Sequence, residues 1–157
     1  MRIFEKVRSI KMRAVILVME SIFIAHKILF GKEDEEKNEM KLEISLSETK
    51  EIAVVTFYGQ IQQSTIFEFE KREADVLSWD RSSMILDCQE ITEVDGYGLE
   101  ALSRLVKKLQ KRGRKLRLCL PTTETGEAIK DELAEMISIN RYHRDLTAAL
   151  HAARLGT

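Results

Sequence analysis

Residues 84–102 read MILDCQEITEVDGYGLEAL, and their pattern decides the fold. The segment begins with a short continuous apolar run, which is typical of a strand covered on both faces of a sheet. It ends in apolar residues at three- and four-residue steps, which predict an amphipathic helix. Between the two patterns stands a corner, residues 95–98, with the sequence Asp-Gly-Tyr-Gly. A strand, a tight corner and a helix in this order indicate an α/β fold.

The chain on either side of this segment alternates between strand and helix patterns. Residues 41–46 alternate apolar and polar positions, and residues 52–59 are rich in β-branched and aromatic types, so both stretches predict strands. The polar turn between them is short enough for an antiparallel hairpin. Further strands are predicted at 82–88 and 115–120, and helices at 64–79, 98–112, 123–136 and 144–154. The strand–helix–strand crossovers then place parallel strands side by side.

The distribution of charge divides the chain into three parts. Residues 1–32 hold seven Lys or Arg and two Glu, whereas residues 33–39 hold five acids and one Lys. The remainder is close to balanced. This pattern predicts a basic and apolar leader at 1–32, an acidic hinge at 33–40 and one folded domain at 41–157.

The leader is open to three interpretations. Its apolar stretch, residues 14–30, follows several cations and resembles a membrane-directed segment. It is short for a span of about 20 apolar residues, and Glu20, His26 and Lys27 interrupt it. A helix that packs or lies at an interface, a membrane anchor, and a translational leader with Met40 as the physiological start all remain open. Membrane contact through residues 1–32 is therefore undecided.

The sequence contains little that suggests catalysis or metal binding. The three histidines are scattered without a carboxylate or cysteine at ligand spacing, and the chain has no P-loop, GxSxG or GxGxxG motif. Asp87 and Asp95 could be paired acids, but a strand end and a helix N-cap are simpler roles. We therefore expect no catalytic residue, no metal and no cofactor.

The charges and cysteines narrow the class of protein further. A net charge of −1 provides no global field that would attract nucleic acid. The basic run 107–115 lacks interleaved aromatic residues, so we interpret it as a solvated face. Cys88 and Cys119 lie in apolar strand patterns and are predicted to be buried, reduced thiols. These features predict a cytoplasmic protein, with association to a membrane through the leader as the alternative.

Residues 84–102 resemble the core of a STAS domain, the module shared by anti-sigma factor antagonists and the cytoplasmic ends of sulfate transporters. In that family an Asp-Ser-Ser/Thr-Gly-Leu corner opens a helix after a central strand. Asp95, Gly98 and Leu99 match this corner directly. The helix that follows is the one predicted above.

The resemblance continues along residues 41–154. The stretches YGQI (58–61), KRGRKLRLCLP (111–121) and ELAEMISINRYHRDLTAAL (132–150) resemble other family segments, before and after this core, in order and spacing. The resemblance implies an α/β, STAS-like single domain with a mixed sheet of four to five strands and about four packed α-helices. The N-terminal helical leader would precede this domain.

The corner departs from the family at Tyr97. The family's regulatory serine or threonine, which an anti-sigma kinase phosphorylates, falls at this position, and the residue before it, usually another serine, is Gly96. A phosphate there would lie at a helix N-terminus, where free backbone N–H groups stabilise it. The Tyr97 phenol is further from the backbone and unsuited to a serine kinase. Tyr97 is either a packing residue or an exposed anchor for a partner protein.

The resemblance implies a non-enzymatic interaction module similar to an anti-sigma factor antagonist in partner switching, without the usual serine phosphoregulation. An anti-sigma factor of the kinase type is the expected partner. Tyr97 is the phosphosite-equivalent position in the expected docking surface. The other partner-binding residues of that surface are Gln60, Gln62, Asp95, Gly96, Gly98, Leu99 and Glu100.

Two other functions are left open by the sequence. A STAS subunit of a membrane transport complex would bind an ABC-type ATPase in lipid trafficking. A small-ligand sensor would instead bind a nucleotide or another anion at the helix N-terminus.

Overall fold

Five strands form one sheet in residues 41–156, the part of the chain that the computed structural model describes. The strands, in their order across the sheet, are β1 (Leu42–Thr49), β2 (Ile52–Ile61), β3 (Ser83–Val94), β4 (Lys115–Cys119) and β5 (Tyr142–His143). The helices are α1 (Ile66–Ser78), α2 (Gly96–Lys111), α3 (Glu124–Glu132) and α4 (Leu146–Leu155). Short 3₁₀ helices occupy Gln63–Thr65 and Ile139–Arg141. The predicted fold, a mixed sheet with four helices, is confirmed.

The antiparallel pair is the hairpin of β1 and β2, as predicted. Its two turn residues, Lys50 and Glu51, both have positive φ, at 49° and 68°. A turn of this kind matches the right-handed twist of the strands that it joins. The other neighbours are parallel, from β2 to β5, so the connecting helices begin at the carboxyl edge of the sheet, the edge at which these strands end.

Both faces of the sheet are covered. On one face, Met84 and Leu86 of β3 pack in the large core under α1, α2 and α3. On the other face, Ile85 and Cys119 pack against α4. The central strand is therefore buried on both sides, as its continuous apolar run predicts. Cys88 belongs to the first core, so the two free thiols lie in cores on different faces.

Helix α2 carries the apolar stripe that its sequence predicts. Its buried residues include Ala101, Leu102, Leu105, Val106 and Leu109. Complete burial of a leucine side chain stabilises a fold by about 1.5–3 kcal/mol. The helix ends before Gly113, whose φ is +77°. The N–H of Gly113 donates to the carbonyl of Gln110 at 3.0 Å, and that of Arg114 to Leu109 at 3.1 Å, which completes a Schellman C-cap.

One sequence-based expectation about the strands is wrong, and one strand was not located by the sequence. The strand predicted at 82–88 continues to Val94, because β2 extends to Ile61 and pairs with β3 as far as Val94. Asp87 is therefore inside a strand and not at its end. The two-residue strand β5 was not predicted, since two residues are too short to leave a periodic pattern.

The leader and the acidic hinge predicted at 1–40 lie outside the described residues. Their boundary with the domain remains a prediction. Within residues 41–156, no helix is long and apolar enough to cross a membrane.

Candidate functional site

The corner is held in place by the carboxylate of Asp95. This residue has an extended backbone and is the N-cap of α2, where its Oδ1 accepts from the N–H of Gly98 at 2.8 Å. Its Oδ2 accepts from the N–H of Gln63 at 2.9 Å, in the turn that follows β2. The Asp95 N–H donates to the carbonyl of Ile61 at 3.3 Å. One aspartate therefore caps a helix and joins the corner to a second loop, and its predicted N-cap role is confirmed.

The two glycines of the corner have different structural roles. A Cβ added to Gly98 would lie 1.9 Å from the carbonyl oxygen of Ile61, a distance that no side chain can tolerate. A Cβ added to Gly96 would meet no atom within 4 Å. Gly98 is therefore required for the close approach of α2 to β2, whereas position 96 would accept a side chain.

The loop after β2 is fixed by a residue that sequence reasoning missed, Thr65. Its Oγ1 donates to the carbonyl of Gln60 at 2.7 Å and accepts from the N–H of Gln62 at 3.1 Å. The side chain of Gln62 donates to the amide oxygen of Gln60 at 2.7 Å. Gln62 and Thr65 have the spacing of a capping box but reverse its usual Ser/Thr-x-x-Glu/Gln order, so the ordinary sequence signature does not identify this arrangement. The loop presents both glutamines in a defined orientation.

Three exposed aromatic side chains lie towards the carboxyl edge of the sheet. Tyr97 is in the first turn of α2 and is 55% exposed, and Phe67 is in the first turn of α1 and is 65% exposed. Tyr58, near the end of β2, is 43% exposed. The ammonium of Lys71 lies 5.2 Å from the centre of the Phe67 ring. Sequence reasoning selected only Tyr97, because Phe67 and Tyr58 fall within stretches that read as ordinary helix and strand.

The structure brings the predicted site residues to this one region but gives them unequal exposure. Gly96, Tyr97 and Glu100 are exposed, and Glu100 forms a 3.7 Å ion pair with Arg104. The half-buried residues are Gln60, Gln62, Asp95 and Leu99. Gly98 is buried, so it shapes the surface and offers no contact of its own.

Asp87 and Asp95 do not form an acid pair. They are eight positions apart along mostly extended chain, which at about 3.3 Å per residue places them more than about 20 Å apart. Burial raises the pKa of Asp87, whose Oδ1 accepts from the N–H of Gln89 at 3.2 Å. Asp87 is therefore an internal residue of the sheet and has no partner acid at the corner.

The two cysteines, Cys88 and Cys119, are both buried. Burial raises the pKa of Cys119 to about 12 and raises that of Cys88 as well, so both thiols are protonated at neutral pH. Within residues 41–156, no three or more His, Cys, Asp or Glu side chains are grouped to hold a metal ion. The arrangement at the carboxyl edge is suited to contact with another surface.

The elements and the corner together define a class of protein. A mixed sheet with one hairpin, helices on both faces and an aspartate-capped corner after the central strand describe a STAS-type α/β fold. The chain belongs to the STAS domain family, whose sequence model matches residues 43–141. STAS domains are generally non-enzymatic interaction modules. No curated protein matches this chain.

Solved structures similar to this chain come from two groups of proteins. An anti-sigma factor antagonist from Mycobacterium paratuberculosis has a TM-score of 0.61 at 17% identity, covering 72% of this chain and 94% of that one. The STAS domain of a SulP transporter from Vibrio cholerae has a TM-score of 0.57 at 17% identity, covering 70% and 86%. The murine Solute Carrier 26 family member A9 anion transporter gives 0.66 at 15% identity, covering 84% of this chain and 25% of that one. At these identities the likeness shows a shared fold.

Proposed function

We propose that this protein is a non-enzymatic docking module that acts by partner switching, as an anti-sigma factor antagonist does, without serine phosphoregulation at its corner. The observation that carries the proposal is the exposure of Tyr97, at 55%, on a corner whose backbone is fixed. The docking surface comprises the corner, the loop 59–65 and the exposed side of α2. It extends to Phe67 in the first turn of α1.

The geometry of the corner favours binding because little has to be ordered when a partner arrives. Asp95 fixes the backbone on both sides of the corner, and Gly98 packs directly on β2. Aromatic side chains on such preorganised backbones contribute large contact area at low entropic cost. Tyr97 and Phe67 together supply the type of side chain that dominates binding hot spots.

The kind of regulation follows from the residues at the corner. A serine kinase needs an aliphatic hydroxyl close to the backbone, and positions 96 and 97 provide none. Thr92, the nearest hydroxyl on the preceding strand, donates to the carbonyl of Gly59 at 3.3 Å. Binding to the partner is therefore controlled by affinity and abundance, and not by phosphate at the corner.

The proposed partner is an anti-sigma factor of the kinase type, in the cytoplasm. The support is the similarity to the Mycobacterium paratuberculosis antagonist, of which this chain covers 94%. A second candidate function is that of a STAS subunit in a transport complex, with an ABC-type ATPase as partner. Its support is the similarity to the transporter structures. The match to the murine anion transporter covers 84% of this chain and 25% of that one.

A sensor that binds a free anion at the corner is less well supported. The carboxylate of Asp95 already accepts from the N–H groups of Gly98 and Gln63. A second negative charge beside this carboxylate would be repelled, and two of the donors that it needs are engaged.

The test is to recover the natural partner with the full chain and to measure its affinity by calorimetry. The Tyr97→Ala variant should bind more weakly by about 2 kcal/mol, roughly 30-fold. The matched control is Ile139→Ala, since Ile139 is 70% exposed but precedes β5, on the opposite side of the sheet from the corner. Equal affinity for wild type and Tyr97→Ala would overturn the proposal, and recovery of an ATPase would select the transport function.

A further inference from the structure

A cavity of about 200 Å³ lies at the amino end of β4, where α2 has ended. Helix α2 has 16 residues, so about 24 Å separates this cavity from the corner. Its apolar wall contains Leu116, Met136 and Ile137, and its charged wall contains Arg114, Lys115 and Arg141. The cavity is therefore a feature distinct from the docking surface.

The charged side chains among the described residues that line this cavity are all positive. Three of its lining residues are cations, and none of the described residues that line it is a carboxylate. A smaller cavity of about 40 Å³ shares Lys115 and Arg141 and adds Arg117, which is only 4% exposed. Burial, followed by the nearby Arg141, lowers the pKa of Arg117. Three cations of residues 114–117 therefore meet Arg141, from a separate part of the chain, at the start of β4.

The fold partly stabilises the charge of the buried Arg117 side chain. Its Nη1 lies 3.0 Å from Nε2 of His143, and Gly156 at the carboxyl end of α4 lines the smaller cavity beside it. The carboxyl end of a helix carries partial negative charge and stabilises a cation. Of the three cations of the larger cavity, Lys115 and Arg141 also line the smaller cavity, whereas Arg114 lines only the larger one.

Arg114 provides an independent sign that the larger cavity takes a ligand. Its Nη1 donates to the carbonyl of Arg112 at 3.3 Å. Its Nε is buried and has no hydrogen-bond partner in the described part of the chain. A buried donor without an acceptor is unfavourable, and a rotation of the Arg114 guanidinium towards an oxyanion in the cavity would supply that acceptor.

We propose that this cavity binds a small anion that carries a phosphate group. The planar guanidinium groups of Arg114 and Arg141 match the oxygens of a phosphate, and Lys115 adds a third positive charge. Drug-sized ligands occupy pockets of about 300–1,000 Å³, so a cavity of about 200 Å³ takes a smaller ligand. The apolar wall packs against the carbon skeleton that bears the phosphate. The phosphate belongs either to a free compound or to a phospholipid headgroup.

The experiment titrates the 157-residue chain with inorganic pyrophosphate by calorimetry at fixed ionic strength. In parallel, the chain is sedimented with phosphatidylglycerol vesicles and with phosphatidylcholine vesicles. We expect binding that weakens about tenfold or more in Arg114→Gln, as for the loss of hydrogen bonds to a charged group. Lys115→Gln, which changes an exposed residue at the start of β4, should weaken binding too and serves if Arg114→Gln does not fold.

The matched control is Lys107→Gln, which removes one exposed cation of α2 that does not line the cavity. It should leave the affinity unchanged, as should Tyr97→Ala at the corner. Pyrophosphate binding that Arg114→Gln weakens supports a free phosphate compound. Binding to phosphatidylglycerol vesicles alone, weakened by Arg114→Gln, supports a headgroup. The proposal is overturned if neither probe binds, or if Lys107→Gln weakens binding as much as Arg114→Gln does.

Discussion

The carboxylate of Asp95 and the backbone N–H of Gln63 are joined by a 2.9 Å hydrogen bond between residues 32 positions apart. Because the other carboxylate oxygen caps α2 through Gly98, the first turn of α2 and the loop after β2 are held by one side chain. The surface that contains Tyr97 depends on this link. Its strength can be measured through substitutions at Asp95.

Asp95→Ala should lower the free energy of unfolding by about 1–3 kcal/mol, because it removes an N-cap and a second charge-assisted hydrogen bond. Asp95→Asn keeps one carbonyl oxygen for one of the two N–H groups, so its loss should be smaller. Urea unfolding of both variants and of the wild type measures the difference. A loss below about 0.5 kcal/mol for the alanine variant would show that the link contributes little.

Gly98→Ala should destabilise the protein by about 1–3 kcal/mol or more, because its Cβ would lie 1.9 Å from the carbonyl oxygen of Ile61. Gly96→Ala is the matched control in the same turn, where no atom lies within 4 Å of the new Cβ. It should leave stability unchanged or raise it by up to about 1 kcal/mol. Thermal unfolding of the two variants tests this, and equal melting temperatures would contradict the close approach.

Stability should fall in mildly acidic solution because of His143. Burial, followed by Arg117 and Arg141, lowers the pKa of this histidine in the folded state. The folded protein therefore favours the neutral ring. The stabilisation is complete above the ordinary histidine pKa of about 6.5 and is lost as the pH falls through the lowered value.

The measurement is the free energy of unfolding between pH 5 and pH 8 for wild type and His143→Gln. The glutamine oxygen can still accept from Arg117 but does not titrate, so the variant should lose less stability on acidification than the wild type. Parallel pH profiles would show that His143 is not responsible.

The chain from Met40 to Thr157 should fold without residues 1–39. Within the described residues, both cores are built from Leu42 onward, and the preceding segment 33–39 is strongly acidic. We expect the melting temperatures of the short and the full chain to agree within a few degrees. A short chain that is insoluble or lacks a cooperative transition would place the leader in the core and move the predicted boundary.

The sequence by itself determined the elements whose signals are local. The stripe of α2 and its end at Gly113 follow from contacts within a few residues, and so does the N-cap role of Asp95. The hairpin and the buried central strand could also be predicted, because alternation and continuous apolar runs reflect how many faces of a strand are covered. The family was indicated by the resemblance of the motifs along residues 41–154, in their order and spacing.

The tertiary structure decided what depends on pairs of distant residues. The extension of β3 to Val94 follows from pairing with β2, and the burial of Gly98 follows from the position of Ile61. Arg114 and Lys115, at the end of a basic run predicted to be a solvated face, line a cavity together with Arg141. In the sequence, Phe67 has the pattern of an ordinary helical residue. Only the packing of α1 determines that its side chain is exposed. Each of these features depends on packing between segments that are far apart in the chain, which local patterns do not encode.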